Sequence, residues 1–221
     1  MFSRGCPNRC NFCTSKVVFN NYQEGKIENI VTEIEDCLNR GISVFNFEDD
    51  NLFATQEIAI KLLFALKELK EKYPYIEFTA MNGISIEKIN EDIIDIMKEC
   101  GFNEINISLV TLYEKTQKTC NRPFYSDKFE KIALYSKKRG LNVRGYFILG
   151  LPTQTREEII EIKKLSETLK IKIFPSVYYN IFNKKPDEWK IQRSSVFPNE
   201  TEYLSRESLI NLFNLFVKDL G

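Results

Sequence analysis

The sequence contains no histidine in 221 residues. The chain therefore supplies neither a histidine general base nor a histidine metal ligand, and any metal site it forms must use other donors. It also lacks an apolar run long enough to span a membrane, and its first residues lack the pattern of a signal peptide. We therefore expect a cytoplasmic protein with no membrane partner.

An excess of charge of either sign is also absent. Lys+Arg and Asp+Glu both number 31, so the formal net charge is zero. No global basic field favours nucleic acid, and we do not expect such a partner, although neutral net charge is compatible with a local basic patch. The hydrophobic content of 43% and the charged content of 28% are typical of a globular domain with a substantial core.

What the sequence does contain is a dense group of cysteines near its start. Cys6, Cys10 and Cys13 lie within eight positions in C-x3-C-x2-C spacing. Thiolate sulfur favours iron–sulfur clusters and zinc. Three thiolates leave one iron of a four-iron cluster without a protein ligand, and an open position on a metal can bind a substrate or cofactor.

The alternative for this loop is a small zinc or disulfide site. Zinc would need a fourth ligand, and no histidine is present to provide it. Cys37, Cys100 and Cys120 lie in segments that are predicted to be helices or helix ends, so we expect them to be ordinary thiols. Their roles stay open at this point.

Strand-like and helix-like segments alternate along the chain. Strands are predicted at the end of residues 1–4 and over 42–47, 76–81, 104–110, 143–149 and 171–179. Residues that favour helix starts or stops separate them: Thr55, Asn90, Ser126, the Thr155–Glu158 capping box, Ser205, Gly41, Gly101 and Gly140. This alternation predicts an α/β fold with a parallel sheet, but does not decide between a doubly wound sheet and a partial barrel.

The cysteine loop, with Phe12 just before its third cysteine, resembles the cluster loop of the radical S-adenosylmethionine (SAM) enzymes. In that family the open iron of a [4Fe–4S] cluster holds SAM, which is reductively cleaved to a 5′-deoxyadenosyl radical. The resemblance implies a partial (β/α)6 TIM-like barrel over residues 1–180. It leaves 181–221 as a C-terminal extension and amphipathic helix of the same domain.

The same resemblance implies which residues surround the cofactor. Glu48, Asp49 and Asp50 follow the second predicted strand, where the family binds the methionine part of SAM. The remaining implied contacts are Phe12, Ser108 at the fourth strand end, Arg144 in the fifth strand and Gly150 after it. Two alternatives stay open: the acidic residues could form a turn or helix cap, and Arg144 could make a structural ion pair.

Within the family, the Asp-Asp-Asn element and the Arg-Pro pair at Arg122 resemble the cobalamin-binding branch. The function implied is the radical SAM core of a cobalamin-dependent enzyme such as a methyltransferase, served by a flavodoxin- or ferredoxin-type electron donor. Only five residues precede Cys6, so the first barrel strand is expected to be incomplete. Cobalamin itself is expected to bind in a domain upstream of this chain. The alternatives are a methylthiotransferase-like tRNA-modifying enzyme and a non-catalytic iron–sulfur or zinc scaffold. The sequence does not name the substrate.

Overall fold

The computed structural model describes residues 1–123, 125–178 and 200–218. Strands and helices alternate along most of the chain, as the sequence predicted. The strands are β1 Ser3–Arg4, β2 Gln23–Glu24, β3 Val44–Asn46, β4 Glu77–Thr79, β5 Ile84–Ser85, β6 Glu104–Val110, β7 Asn142–Leu149 and β8 Lys172–Val177. The helices are α1 Ser15–Val18, α2 Ile27–Asn39, α3 Gln56–Lys72, α4 Glu91–Cys100, α5 Glu114–Thr119, α6 Ser126–Lys138, α7 Arg156–Leu169 and α8 Arg206–Val217.

The strands pair mainly in the parallel sense that crossover helices require. β3 pairs with β4 in parallel, and β5 pairs with β6 in parallel within a sheet of order β5-β6-β7-β8. The exception is β1, which pairs with β2 in the antiparallel sense. The prediction had not included β2, whose two exposed residues carry no apolar signal.

The chain divides into two compact units. The first comprises Met1–Asn8, Thr14–Ser108 and Asp127–Arg144; the second comprises Arg9–Cys13, Leu109–Ser126 and Gly145–Gly221. Cys6 belongs to the first unit, and Cys10 and Cys13 belong to the second. The predicted division near residue 180 falls outside the described residues and stays a prediction.

Helix caps in the first unit follow the local signals in the sequence. Thr55 Oγ1 accepts a hydrogen bond from the Ile58 amide at 3.2 Å, and Asn90 Oδ1 accepts one from the Ile93 amide at 3.0 Å. Gly101 ends α4 with φ of 101°, where a Cβ atom would lie 2.8 Å from the Ile76 carbonyl oxygen. Glycine is therefore required there on two counts, conformation and space.

Each unit has its own apolar core. In the first, the buried ring of Phe78 lies 5.7–6.0 Å, centroid to centroid, from the rings of Phe45, Phe47 and Phe102. In the second, α8 packs on α7 and β8, and the rings of Phe147 and Phe216 are 4.6 Å apart. The terminal amphipathic helix predicted from Ser205 is confirmed, with Ser205 as its N-cap.

Within the described residues, none of the helices combines the length and the apolar character that crossing a membrane requires.

Candidate functional site

The acidic segment after β3 holds the chain that leads into Cys6. Asp49 is 2% exposed, and its carboxylate accepts hydrogen bonds from the Phe2 amide at 3.2 Å, the Ser3 hydroxyl at 2.7 Å and the Ser3 amide. Asp50 Oδ2 accepts a bond from the Gly5 amide at 3.0 Å. Both carboxylates thus orient the backbone immediately before the first cysteine.

Asn51 contacts the sulfur of Cys6 directly. Its Nδ2 donates to Cys6 Sγ at 3.5 Å, while its buried Oδ1 has no hydrogen-bond partner among the described residues. Gly5 adopts φ of 78°, and a Cβ atom at Gly5 would lie 2.8 Å from the Asn21 carbonyl oxygen. The chain can therefore turn into the cysteine loop only with glycine at this position.

In the second unit, residues Thr119–Arg122, which we call the loop clamp, hold the other half of the cysteine loop. The Asn11 amide donates to the Cys120 carbonyl at 2.9 Å, and Asn11 Nδ2 donates to the Thr119 carbonyl at 3.1 Å. Asn121 Nδ2 donates to the Arg9 carbonyl at 2.8 Å. The sequence analysis placed no helix between the strand predicted over 104–110 and the helix start at Ser126, so it did not predict α5.

Arg122, the last residue of the loop clamp, contacts a cysteine directly. Its Nη1 donates to Cys10 Sγ at 3.7 Å, and Cys10 is only 4% exposed. Phe12 packs against the small apolar cluster formed by Val110, Cys120 and Leu151. Phe12 therefore helps to seat the loop, and its predicted contact with SAM stays a prediction.

The end of β6 has an unusual backbone. Val110 has φ of 69°, a left-handed conformation that is costly for a β-branched residue. Gln117 Nε2 stabilises it by donating to the carbonyls of Leu109 at 2.9 Å and Thr111 at 2.7 Å. Thr111 Oγ1 and Gln117 Oε1 are buried and have no hydrogen-bond partner among the described residues. Buried polar atoms of this kind need a hydrogen-bond partner, which a water molecule or a bound group could supply. Ser108 lies two residues before Val110 and is paired with Ser85 of β5.

Arg144 makes the ion pair that the sequence analysis gave as its alternative role. Its Nη2 lies 3.0 Å from Glu104 Oε2, and the Arg144 side chain is 37% exposed. Glu104 Oε1 also accepts hydrogen bonds from Thr79 Oγ1 at 2.8 Å and Asn106 Nδ2 at 2.9 Å. The assignment of Arg144 to the SAM carboxylate stays a prediction.

The other predicted residues lie at strand ends as expected. Glu48 is exposed and accepts a hydrogen bond from Asn46 Nδ2. Gly150 follows β7 with φ of 88°, and its amide donates to Gln154 Oε1 at 2.7 Å. Their proposed contacts with SAM stay predictions. Tyr179, at the end of the strand predicted over 171–179, lies outside the described residues.

Glu158 is a buried carboxyl that sequence reasoning assigned incorrectly. Its backbone amide donates to Thr155 Oγ1 at 3.3 Å, as in a capping box. Its side chain does not return to the Thr155 amide; it accepts hydrogen bonds from Thr116 Oγ1 at 3.1 Å and the Tyr113 amide at 3.4 Å. Burial raises the pKa of Glu158 from 4.5 to about 7, against the lowering effect of these hydrogen bonds. In a chain without histidine, this carboxyl titrates in the range that histidine usually occupies.

This pKa predicts a pH-dependent stability. A carboxyl whose pKa is higher in the folded state stabilises the fold fully below the unfolded value of 4.5, and this contribution is lost as pH rises through about 7. The difference is worth about 3 kcal/mol by linkage. We expect Glu158→Gln to remove this dependence, so its free energy of unfolding should rise relative to the wild type between about pH 4.5 and about pH 8. Urea unfolding at several pH values measures it.

The control is Glu157→Gln, an exposed neighbour on the same helix that also loses one charge. Its unfolding free energy should follow the wild-type pH profile. Parallel profiles for Glu158→Gln and the wild type would show that the Glu158 carboxyl does not titrate differently in the folded state.

Two of the cysteines outside the loop, Cys100 and Cys120, are buried thiols. Burial raises the pKa of Cys100 to about 12 and that of Cys120 to about 11, which keeps both protonated. Cys100 Sγ donates to the Leu63 carbonyl at 3.0 Å. Cys37 is half-buried and accepts a hydrogen bond from Arg40 Nη2 at 3.2 Å.

The donor set suits an iron–sulfur cluster chemically. Cys6, Cys10 and Cys13 are thiols in one short loop, and side-chain N–H groups donate to the first two sulfurs. In the part of the chain that the structure describes, no three His, Cys, Asp or Glu side chains are gathered closely enough to hold a metal ion. The assignment of these three cysteines as cluster ligands depends on their spacing and donor chemistry, and it stays a prediction.

Comparison with known families identifies the chain. A family model described as the radical SAM superfamily matches residues 1–166. The protein belongs to the radical SAM superfamily, whose members bind a [4Fe–4S] cluster and SAM.

The relatives include two kinds of transferase. The chain is 24% identical over 153 residues to a cytidylyl-2-hydroxyethylphosphonate methyltransferase from Streptomyces wedmorensis, covering 68% of this chain and 28% of the relative. It is 23% identical over 176 residues to the ribosomal protein uS12 methylthiotransferase RimO of Clostridium novyi (strain NT), covering 76% and 39%. The chain therefore spans well under half of these relatives.

Solved structures confirm the predicted fold class, an α/β fold resembling the TIM-like barrel of radical SAM enzymes. The methyltransferase TsrM from Kitasatospora setae, with cobalamin and a [4Fe–4S] cluster bound, aligns with a TM-score of 0.72 at 15% identity over 80% of this chain and 35% of that one. The coproporphyrinogen III oxidase HemN from Escherichia coli aligns with a TM-score of 0.62 at 16% identity over 98% and 50%. At these identities the likeness establishes the fold alone.

Proposed function

We propose that this chain is the radical SAM core of an enzyme that binds one [4Fe–4S] cluster through Cys6, Cys10 and Cys13 and reductively cleaves SAM. The observation that carries the proposal is the C-x3-C-x2-C loop, in which the Cys6 sulfur accepts an N–H group from Asn51 and the Cys10 sulfur accepts one from Arg122. Three thiolates leave one iron for SAM, which argues against a purely structural site.

When bound by these cysteines, the cluster would supply the electron for reductive cleavage of SAM. The chain's own residues position the reactants. Asp49 and Asp50 hold the backbone of Ser3 and Gly5, which leads into Cys6. The loop clamp holds Arg9 and Asn11. Around SAM we assign Phe12, Glu48, Asp49, Asp50, Ser108, Arg144 and Gly150. Of these, Arg144 would bind the SAM carboxylate from a side chain already oriented by Glu104.

Radical SAM enzymes typically take their electron from an external donor. We propose a flavodoxin- or ferredoxin-type donor here, and a cytoplasmic location, because a reducing compartment keeps the six cysteines as thiols. The substrate is a separate small molecule or macromolecule whose chemistry the described residues do not define.

The whole protein is proposed to be a cobalamin-dependent enzyme such as a methyltransferase. The support is the Asp-Asp-Asn element together with a methyltransferase relative and the fold likeness to cobalamin-bound TsrM. Cobalamin would be bound by sequence outside these 221 residues. A second candidate is a methylthiotransferase, which the RimO relatives favour.

The test is anaerobic reconstitution with iron and sulfide, followed by addition of SAM and a reductant. We expect the characteristic visible absorption of the cluster and 5′-deoxyadenosine as a product, quantified by mass spectrometry. The matched control omits the reductant, which should stop product formation without removing the cluster. A loaded cluster that never consumes SAM would instead indicate an iron–sulfur scaffold.

A further inference from the structure

A cationic side chain lies against one of the proposed cluster ligands. Arg122 Nη1 is 3.7 Å from Cys10 Sγ, and Cys10 is almost completely buried. The contact joins two segments 112 residues apart in the chain, so it results from the fold and not from local sequence. The proposed function does not by itself require an arginine at this point.

The position of Arg122 is fixed by its own backbone. Its amide donates to the Gln117 carbonyl at 2.9 Å, and the preceding Asn121 amide donates to the Lys118 carbonyl at 3.0 Å. Pro123 follows and restricts the backbone of Arg122 to extended conformations. The backbone that carries the guanidinium is therefore held in place near Cys10.

The Cys10 side of the contact is equally constrained. The neighbouring Asn11 is held by two hydrogen bonds to the loop clamp, and Asn121 Nδ2 holds the Arg9 carbonyl. Three hydrogen bonds to the loop clamp thus fix the residues on both sides of Cys10. A positive charge that is held in place beside a buried sulfur acts through a lower effective dielectric than a mobile surface charge does.

Such a charge affects the redox chemistry of an attached cluster. Reduction by one electron makes the cluster more negative, and a nearby cation or an N–H donor to sulfur stabilises the more negative state. Hydrogen bonds to the sulfurs and local charge are among the factors that set cluster reduction potentials. Arg122 therefore favours the reduced form, which is the form that passes the electron to SAM.

We propose that Arg122 is a positioning residue that raises the reduction potential of the [4Fe–4S] cluster through its contact with Cys10. The inference rests on the proposed function, since it requires the cluster. The electron comes from the external donor, and no bond to Arg122 forms or breaks.

The test compares the reconstituted full chain with Arg122→Gln, which loses the charge, and Arg122→Lys, which retains it. The control is Arg139→Gln, which removes a charge whose partner is Asp95, at an Nε–Oδ1 distance of 2.7 Å in the first unit. The midpoint potential is measured by anaerobic titration followed by electron paramagnetic resonance of the reduced cluster.

For Arg122→Gln we expect the ratio of reduced to oxidised cluster at a fixed solution potential to fall about tenfold. This corresponds to a midpoint potential lower by about 59 mV for a one-electron couple. Arg122→Lys should lie closer to the wild type, and Arg139→Gln should match it. Equal potentials for Arg122→Gln and the wild type would overturn the inference, as would an equal shift in Arg139→Gln.

Loss of the cluster is also decisive. If Arg122→Gln folds but does not load, Arg122→Lys decides: a wild-type-like potential supports the inference, and a tenfold shift overturns it. If both folded variants fail to load, Arg122 acts in assembly and the tuning role is rejected. Failure of the wild type to load a cluster or consume SAM would instead reject the proposed function, so the two failures are distinguishable.

Discussion

Replacing Cys10 with alanine is expected to abolish both the visible absorption of the cluster and all cleavage of SAM. A cluster attached by three thiolates has no spare protein ligand, and loss of one leaves two irons without one. Cys10 is also the cysteine that Arg122 contacts, so the variant removes the sulfur around which the loop is organised. Iron and sulfide content per chain, visible absorption and 5′-deoxyadenosine formation measure the effect.

The matched control is Cys37→Ala, which removes a half-buried thiol outside the loop. It should retain the full cluster and full SAM cleavage. A Cys10→Ala protein that kept four irons and wild-type activity would show that the cluster is bound elsewhere. Circular dichroism of each variant separates loss of the cluster from loss of the fold.

The second large effect is expected for Asp49→Ala. This change leaves two buried amides, those of Phe2 and Ser3, without an acceptor, and leaves the Ser3 hydroxyl with only its longer contact to the Asn51 carbonyl at 3.4 Å. Leaving buried donors unpaired costs about 1–3 kcal/mol each, and partial relaxation reduces the sum, so we expect a destabilisation of about 3 kcal/mol. Because the Phe2–Gly5 segment leads into Cys6, the variant should also load less iron than the wild type. Urea unfolding followed by circular dichroism measures the stability.

Asp36→Ala provides the control, since it removes an exposed aspartate from α2 and should change stability by less than about 0.5 kcal/mol. Equal stability of Asp49→Ala and Asp36→Ala would mean that water replaces the lost carboxylate. Reduced SAM affinity with unchanged stability would instead support the cofactor contact that the family resemblance implies for Asp49.

Much of the fold could be predicted because its signals are local. The caps at Thr55 and Asn90 bond to amides three residues away. Gly101 predicts the left-handed end of α4 because glycine readily adopts positive φ. The alternation of apolar strands and helices then defines the α/β class. The resemblance of the cysteine loop to a known family supplied the barrel type, which periodicity alone could not decide.

The support of the site could not be predicted because its signals are long-range. Asp49 bonds to residues 46 and 47 positions away, and Arg122 bonds to a residue 112 positions away. Glu158 shows how such partners override a local pattern. The capping-box spacing is present, but the side chain bonds to Thr116 instead of returning to the helix start. Helix α5 was missed because its six residues have no apolar periodicity.

The left-handed turn at Val110 has a consequence for local opening. The side chain of Gln117 supplies both hydrogen bonds that flank this turn, and Gln117 lies on the same short helix that ends in the loop clamp. Unwinding that helix would release the turn at Val110 and the bonds to Asn11 together. We therefore expect the amides at the end of β6 and the Asn11 amide to become accessible to hydrogen exchange together, as parts of one local opening.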